Sequence, residues 1–428
     1  MLSAEAMLQA ARSAPAYQKP GKPTQNTGFN SLNVHQIVQV QRFPAVRTRL
    51  ELGGKPQAAQ LADGTIVVAG FADPRNVNTK QTCVTIQWST DNGATFSKPK
   101  IFPDMQGRTS GLRALRDGTL ILAHGASFVS RSTDAGHSWT QVELPDDVIP
   151  GEGPLVLGEV SGCVELPDGT LLMHVARRIP NEYKWMAYVV RSRDGGRTWG
   201  DPTRVPTHTD ADEISYELLS SGRILGIARC SAAFIKRNGL EDVVPGGRDA
   251  PLGGEPGESP AVFWSDDYGR TWSDPKPTGL GVLQAATYPL ELSDGRVVLL
   301  IGHRQFPFGV QAVASRDGGE TFDVEHPLML AWFSWSYYCG HPRSVRLQDG
   351  SVLTGYYTHY IMGDPPRHNE KCTGELVRWR PPDDWPPSRV KSERRKPVRS
   401  SAIDEAGHKS QVVGVASRSE AETRRGGS

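Results

Sequence analysis

Cysteine is scarce and shows no pairing pattern: five residues, Cys83, Cys163, Cys230, Cys339 and Cys372, lie scattered without C-x-x-C spacing. That excludes a disulfide framework or a zinc ribbon and points to buried thiols. An excess of one charge is missing too. Against 48 basic side chains stand 47 acidic ones, a net charge of +1, so neither nucleic acid nor an anionic membrane surface is an expected partner. No apolar run approaches the ~20 residues that a membrane span needs. Met1 to Pro20 has no basic start followed by a continuous apolar segment, so no secretory signal is expected and a cytoplasmic location is the default. Phosphate-binding glycine loops and His/Cys metal spacings are lacking, and calcium has no ligand set, so no cofactor and no metal are expected. Composition does not fix the oligomeric state.

What is present is repetition. Ser-x-Asp-x-Gly-x-Thr/Ser-aromatic occurs five times, beginning at Ser89, Ser132, Ser192, Ser265 and Ser315. The chemistry is that of a turn: the short carboxylate accepts bonds from its own backbone, glycine permits positive φ, and the aromatic ring drops into a packed layer. Asp91, Asp134, Asp194, Asp267 and Asp317 are therefore expected to be turn staples and not catalytic acids.

A second signature, Leu-x-Asp-Gly-Thr-Leu-Leu or a close variant, recurs six times around Gly64, Gly118, Gly169, Gly222, Gly295 and Gly350. Each copy reads as apolar strand, two-residue turn, apolar strand. Successive glycines are 54, 51, 53, 73 and 55 residues apart (118−64, 169−118, 222−169, 295−222, 350−295). The long interval is explained by an insertion, Lys236 to Ser259, whose Gly, Pro and charges mark a surface loop. Interleaved, the two signatures give units of about four antiparallel strands, and six such units predict an all-β, six-bladed β-propeller. The sixth unit lacks a staple turn. The isolated strand Val34 to Phe43 is expected to complete it and close the ring from the N-terminal side. Residues 1–30 read as a flexible leader, 31–386 as the propeller, and 387–428 as a disordered polar tail.

The five staples and six hairpins resemble the sialidase (neuraminidase) superfamily of six-bladed propellers, whose Asp boxes have this spacing. The likeness runs from about Val34 to Trp385. It implies a pocket at the centre of one face with three arginines gripping a substrate carboxylate, an Asp acid/base and a Tyr nucleophile polarised by a Glu. Such a set has clear physics: guanidinium forks match a carboxylate, and a phenol needs a neighbouring base to attack an anomeric carbon.

With the six hairpins aligned on their turns, Glu213 and Arg229, 16 residues apart, resemble the polarising Glu and second arginine. Arg304 resembles the third. Lys55 stands where the first arginine is expected and would bind as a point charge without the fork. His341 stands in the nucleophile's slot, with Tyr338 just upstream as the phenolic alternative. Asp73 is the nearest candidate for the general acid. Arg113 and Glu159, near inner-strand starts, widen the field of substrate-binding residues, and His303 beside Arg304 is a further titratable group. The resemblance implies a glycoside hydrolase, an exo-α-sialidase or a relative, removing a terminal acidic sugar from a glycan. The alternatives are a non-catalytic carbohydrate-binding propeller and a polysaccharide lyase acting on uronates with His341 as base.

Overall fold

In the computed structural model the described residues are 41–42, 45–50, 54–72, 82–156, 163–180, 185–206, 213–244, 246, 259–281, 287–304, 308–332, 339–359 and 372–387. They form six sheets, the blades of a propeller, as the repeats predict. Each blade begins with an inner strand: Gly54–Gln60, Thr109–Ala114, Cys163–Glu165, Ile214–Leu218, Thr287–Glu291 and Gly340–Arg346. Antiparallel neighbours follow outward in chain order. In the third blade Leu155–Val156 pairs with the far end of the second strand, Leu171–Arg178, so the inner edge comes in two short pieces.

Second strands carry the core. Ile66, Val67, Val68 and Ala69 are all inaccessible, as are Val297 to Ile301, because each faces a neighbouring sheet on both sides. Such a continuous apolar run is what burial on two faces demands, and each fully buried Val, Ile or Leu contributes roughly 1.5–3 kcal/mol.

The hairpin from inner to second strand is longer than the two-residue turn expected. Five residues intervene; in the first blade Leu61 N–H bonds to Thr65 O at 2.8 Å and Gly64 N–H to Leu61 O at 3.0 Å. Asp63 caps the loop by accepting from Thr65 N–H at 2.9 Å. Gly64 takes φ +89°, and the equivalent glycine in every blade is likewise left-handed, the conformation glycine supplies without steric cost.

The Asp boxes join third strands to outer strands and behave as staples. Ser265 donates to Asp267 Oδ1 at 2.7 Å and accepts from Gly269 N–H at 2.7 Å. Thr271 donates to the same carboxylate through its N–H at 2.8 Å and its hydroxyl at 2.6 Å. They also hold blade to blade. A Cβ on Gly319 would meet Leu225 Cδ2 of the preceding blade at 2.5 Å, and one on Gly196 would meet Ile121 at 3.0 Å.

One further expectation is corrected. The ring is closed by an N-terminal strand, but that strand is Val46–Arg49, antiparallel to Cys372–Trp379 in the sixth blade. Gln41–Arg42 instead adds a parallel edge to the fifth blade, and residues 34–40 lie outside the described residues. A helical turn, Ala232–Arg237, that buries Ile235 leads into the insertion, whose Val244 is buried too; residues 245 and 247–258 of the insertion lie outside the described residues. Cys83, Cys163, Cys230 and Cys339 are buried thiols that form no disulfide among the described residues, as expected. No described helix is long and apolar enough to cross a membrane.

Candidate functional site

Counted back from the hairpin loops, the inner strands fall into layers. Lys55, Glu213 and His341 each stand eight residues before the third loop residue, at Asp63, Ser221 and Asp349. Gln57, Ser215, Tyr288 and Arg343 stand six before, and Arg113 and Glu217 four before. Equal register puts residues of equal offset at equal depth in the ring, so the first set lies farthest from the hairpins.

Local backbone explains how two of them are presented. Gly54-Lys55-Pro56 and Gly340-His341-Pro342 are the same device in adjacent blades, each at a register shift in its ladder. Lys55 has φ +45° and His341 φ +48°, left-handed conformations that side chains with a Cβ rarely adopt. A bulge re-aims its side chain, and strain of this kind gathers where function requires a particular direction. Both side chains are buried.

Glu213 and Arg229 are cross-strand partners. Arg229 N–H bonds to Glu213 O at 3.0 Å, and Arg229 Nη1 donates to Glu213 Oε2 at 2.8 Å. The other carboxylate oxygen, Oε1, lies 3.9 Å from His341 Nε2. Arg304 arrives from the fifth blade's second strand, where close approach depends on two glycines: a Cβ on Gly340 would sit 2.6 Å from Gly302 Cα. Arg304 donates to Cys339 O at 3.2 Å through Nε and to the Tyr357 hydroxyl at 3.1 Å through Nη2. The Tyr357 ring stacks obliquely on His341, 5.4 Å between centroids.

Electrostatics binds the cluster together. Burial first, and then the charges of Lys55, Arg304, Arg229 and Arg343, hold His341 well below the ordinary imidazole value. The imidazole is therefore neutral near pH 7, and its Nδ1 has no hydrogen-bond partner among the described residues. Among the described residues, four cations thus stand around one neutral histidine and one carboxylate, an arrangement suited to capturing an anion.

A second tier lies deeper. Arg113 Nη1 is 3.8 Å from Glu217 Oε2, and the Arg343 guanidinium stands over the Tyr288 ring at 5.6 Å. Burial is the main cause that raises both the Glu217 carboxyl and the Tyr288 phenol above their usual values. Arg113 keeps 37 % of its side chain accessible. Gln57 beside this tier is buried, with neither amide atom hydrogen-bonded among the described residues. A separate surface cavity of about 480 Å³ is lined by Ser127, Glu143 and Asp146 among others. It offers carboxylates and no cation, the opposite of the central cluster.

Of the residues expected from sequence, Lys55, Glu213, Arg229, Arg304 and His341 come together. Arg113 belongs to the deeper tier, linked to the first through Arg343. Asp73, Glu159 and Tyr338 lie outside the described residues. His303 is buried, which lowers it to about 4. Sequence reasoning missed Arg343 and Tyr357. Arg343 was signalled by alternation, two residues after His341 on one strand; Tyr357 is placed by pairing opposite Gly340 and left no local signal. Among the described residues no group of His, Cys, Asp and Glu is arranged to hold a metal.

A family model described as a BNR repeat-like domain matches residues 129–306. No curated protein matches the chain. Among solved structures, a protein of unknown function from Dyadobacter fermentans is similar at 20% identity and TM-score 0.62, over 79% of this chain and 99% of that one. The α-L-arabinanase of Penicillium chrysogenum is similar at 14% identity and TM-score 0.53, over 78% and 98%. The Trypanosoma rangeli sialidase is similar at 13% identity and TM-score 0.51, over 77% of this chain and 54% of that one, so the chain spans about half its length. At these identities the likeness establishes the fold.

Proposed function

We propose, from the premise that this chain is an Asp-box propeller of the sialidase-like superfamily, that it is a glycoside hydrolase removing a terminal acidic sugar from a glycan. The observation that carries the reading is the gathering of Lys55, Arg229, Arg304 and Arg343 around His341. Four cations against the single described carboxylate Glu213 favour an anionic ligand, and a sugar carboxylate matches the guanidinium forks. In this reading Arg229 and Arg304 grip the carboxylate, with Lys55 and Arg343 completing the field. Glu213 polarises or protonates, and His341 stands at the position from which the anomeric carbon is attacked. Tyr338 and Asp73 remain the candidates for phenolic nucleophile and general acid, and Arg113 and Glu159 for more distant substrate contacts.

The neutral, buried His341 favours one second reading. Cations around a uronate carboxylate would acidify the proton on the adjacent carbon, and a neutral imidazole is the base to take it. The outcome would be β-elimination instead of hydrolysis. Incubation with a sialyl glycoside and with uronic-acid oligosaccharides, followed by mass spectrometry, separates the readings. A released acidic sugar with the mass of added water supports hydrolysis; an unsaturated, ultraviolet-absorbing product supports elimination. Binding on a glycan array without turnover of any of them would identify a carbohydrate-binding propeller.

A further inference from the structure

The two Gly-x-Pro bulges share their ladder geometry and differ in the residue that follows. Gly340 pairs with Tyr357 and Arg343 with Gly355, which leaves His341 and Pro342 opposite Tyr356 alone. Gly54 pairs with Phe71 and Gln57 with Ala69, which leaves Lys55 and Pro56 opposite Gly70. A bulge of two residues against one disrupts the ladder locally. In the sixth blade Arg343 Nη1 donates to Pro342 O at 2.9 Å, so the guanidinium folds back onto the carbonyl of the residue directly after His341. In the first blade Gln57 holds the matching place, and neither of its amide atoms has a hydrogen-bond partner among the described residues. The His341 bulge therefore carries a side-chain brace that Gln57 does not give to the Lys55 bulge.

The brace has a seat. A guanidinium is planar and stacks on an aromatic face, and that of Arg343 lies over the Tyr288 ring, 5.6 Å from its centroid. Tyr288 and Arg343 stand at the same depth in the fifth and sixth blades, each six residues before the third loop residue of its hairpin. Tyr288 is itself held by the strand, paired with Leu300, and it packs against the apolar cluster that includes Leu290, Val298 and Tyr356. Arg343 is buried, and a cation over an aromatic face is attracted more strongly once it is out of water. The contact thus crosses from one blade to the next and ends on the backbone that carries His341.

We propose that Tyr288 is a positioning residue for His341: its ring seats the Arg343 guanidinium, which holds Pro342 O and with it the left-handed bulge that presents the imidazole. His341 sits at φ +48°, and a side chain persists in such a conformation only where its surroundings over-determine it. Arg343 supplies part of that constraint, and Tyr288 keeps Arg343 in the one orientation that reaches the carbonyl. This role is separate from the charge that Arg343 lends to anion capture. Charge acts at any nearby position, whereas the brace requires the guanidinium plane on the ring and Nη1 at Pro342 O. The consequence for turnover rests on the acidic-sugar reading; the consequence for the placement of the imidazole does not.

The test compares two replacements in the full chain: Tyr288→Phe keeps the seat and loses only the hydroxyl, and Tyr288→Leu removes the seat. NMR with isotope-labelled histidine rings, the signal assigned by its absence in His341→Gln, reads the surroundings of the imidazole without any substrate. Turnover of the acidic glycoside reads the consequence. Tyr288→Leu is expected to shift or broaden the His341 resonance and to lower kcat about tenfold, the loss expected of a desolvated cation–ring contact, with a smaller change in KM. Tyr288→Phe is expected to keep the wild-type resonance and to stay within about twofold in kcat, because a phenyl face also attracts a cation. Should Tyr288→Leu not fold, Arg343→Lys takes its place: it retains the charge, loses the planar fork, and is expected to move the resonance in the same way. An unmoved His341 resonance in the variant that lacks the seat or the fork, or equal effects of Tyr288→Phe and Tyr288→Leu, would overturn the proposal. A wild type that turns over no acidic glycoside would remove the acidic-sugar reading, while the resonance would still decide the brace.

Discussion

Arg229 donates to Glu213 at 2.8 Å from the directly opposing position of a hairpin, with both side chains buried. A buried pair of this kind is weak evidence for net stability, yet breaking it is costly, because the survivor is a buried charge without its partner. Glu213→Ala and Arg229→Ala should each destabilise the fold by roughly 3–5 kcal/mol, and the double replacement by less than their sum. Denaturant unfolding of the four proteins measures this. Simple additivity would mean that the pair is solvated.

Glu213→Gln keeps the shape and removes the charge. If the carboxylate takes part in proton transfer, turnover of the acidic glycoside should fall by about 10²–10⁴. A loss confined to KM would instead mark Glu213 as an orienter of Arg229.

Tyr357→Phe removes the hydroxyl that accepts from Arg304 at 3.1 Å while keeping the ring beside His341. A hydrogen bond to a charged group is worth about 1.5–3 kcal/mol. Affinity for the acidic sugar should therefore drop about tenfold or more, and that for a neutral ester should change little. Equal losses for both ligands would show that the hydroxyl serves folding and not carboxylate capture.

The two repeats made the blades legible because each is a local device, a turn whose residues answer one another within a few positions. The Asp box at Ser265 satisfies its own bonds, so its sequence alone declares it. Inner-strand depth was legible as well, since equal offsets from the hairpin loops placed Lys55, Glu213 and His341 together. The closing strand was not. Val34 to Phe43 alternates like a strand, whereas Val46–Arg49 is a polar outer edge with Val46 69% exposed, and nothing in VRTR advertises pairing. Tyr357 reaches the site from a second strand that otherwise reads as core, so only lateral pairing reveals it.

Acid should unfold the protein through its staples. Hydrogen bonds from the Thr95 hydroxyl, the Thr95 amide and the Ser89 hydroxyl hold Asp91 at about 2. At Asp267 burial acts upward, but the Thr271 hydroxyl and amide and the Ser265 hydroxyl outweigh it, again giving about 2. Folded values lie below the ~3.9 of an unfolded aspartate, so their contribution is complete above about pH 4 and is lost as pH falls toward 2. Circular dichroism against pH should show this loss. Asp267→Asn should lower stability at neutral pH and make the acid slope shallower.

The last prediction concerns a glycine that touches no ligand. A Cβ on Gly355, in the sixth blade's second strand, would stand 2.3 Å from Pro56 O. That oxygen belongs to backbone, so Gly355→Ala cannot be absorbed by a side-chain rotation, and overpacking of this kind costs typically 1–3 kcal/mol. The strand that must give way carries Lys55 at φ +45° immediately before Pro56, where the following ring narrows the backbone's choices further. The displacement therefore falls on the strained bulge, and Gly355→Ala should weaken acidic-sugar binding as well as lower the melting temperature. Lys55→Gly is the complementary variant: it relieves a left-handed side chain, should unfold no earlier than the wild type, and should still lose affinity. Melting curves and calorimetry on the two variants distinguish the effects. If Lys55→Gly unfolds earlier than the wild type, the bulge is held by its side chain and not strained by it.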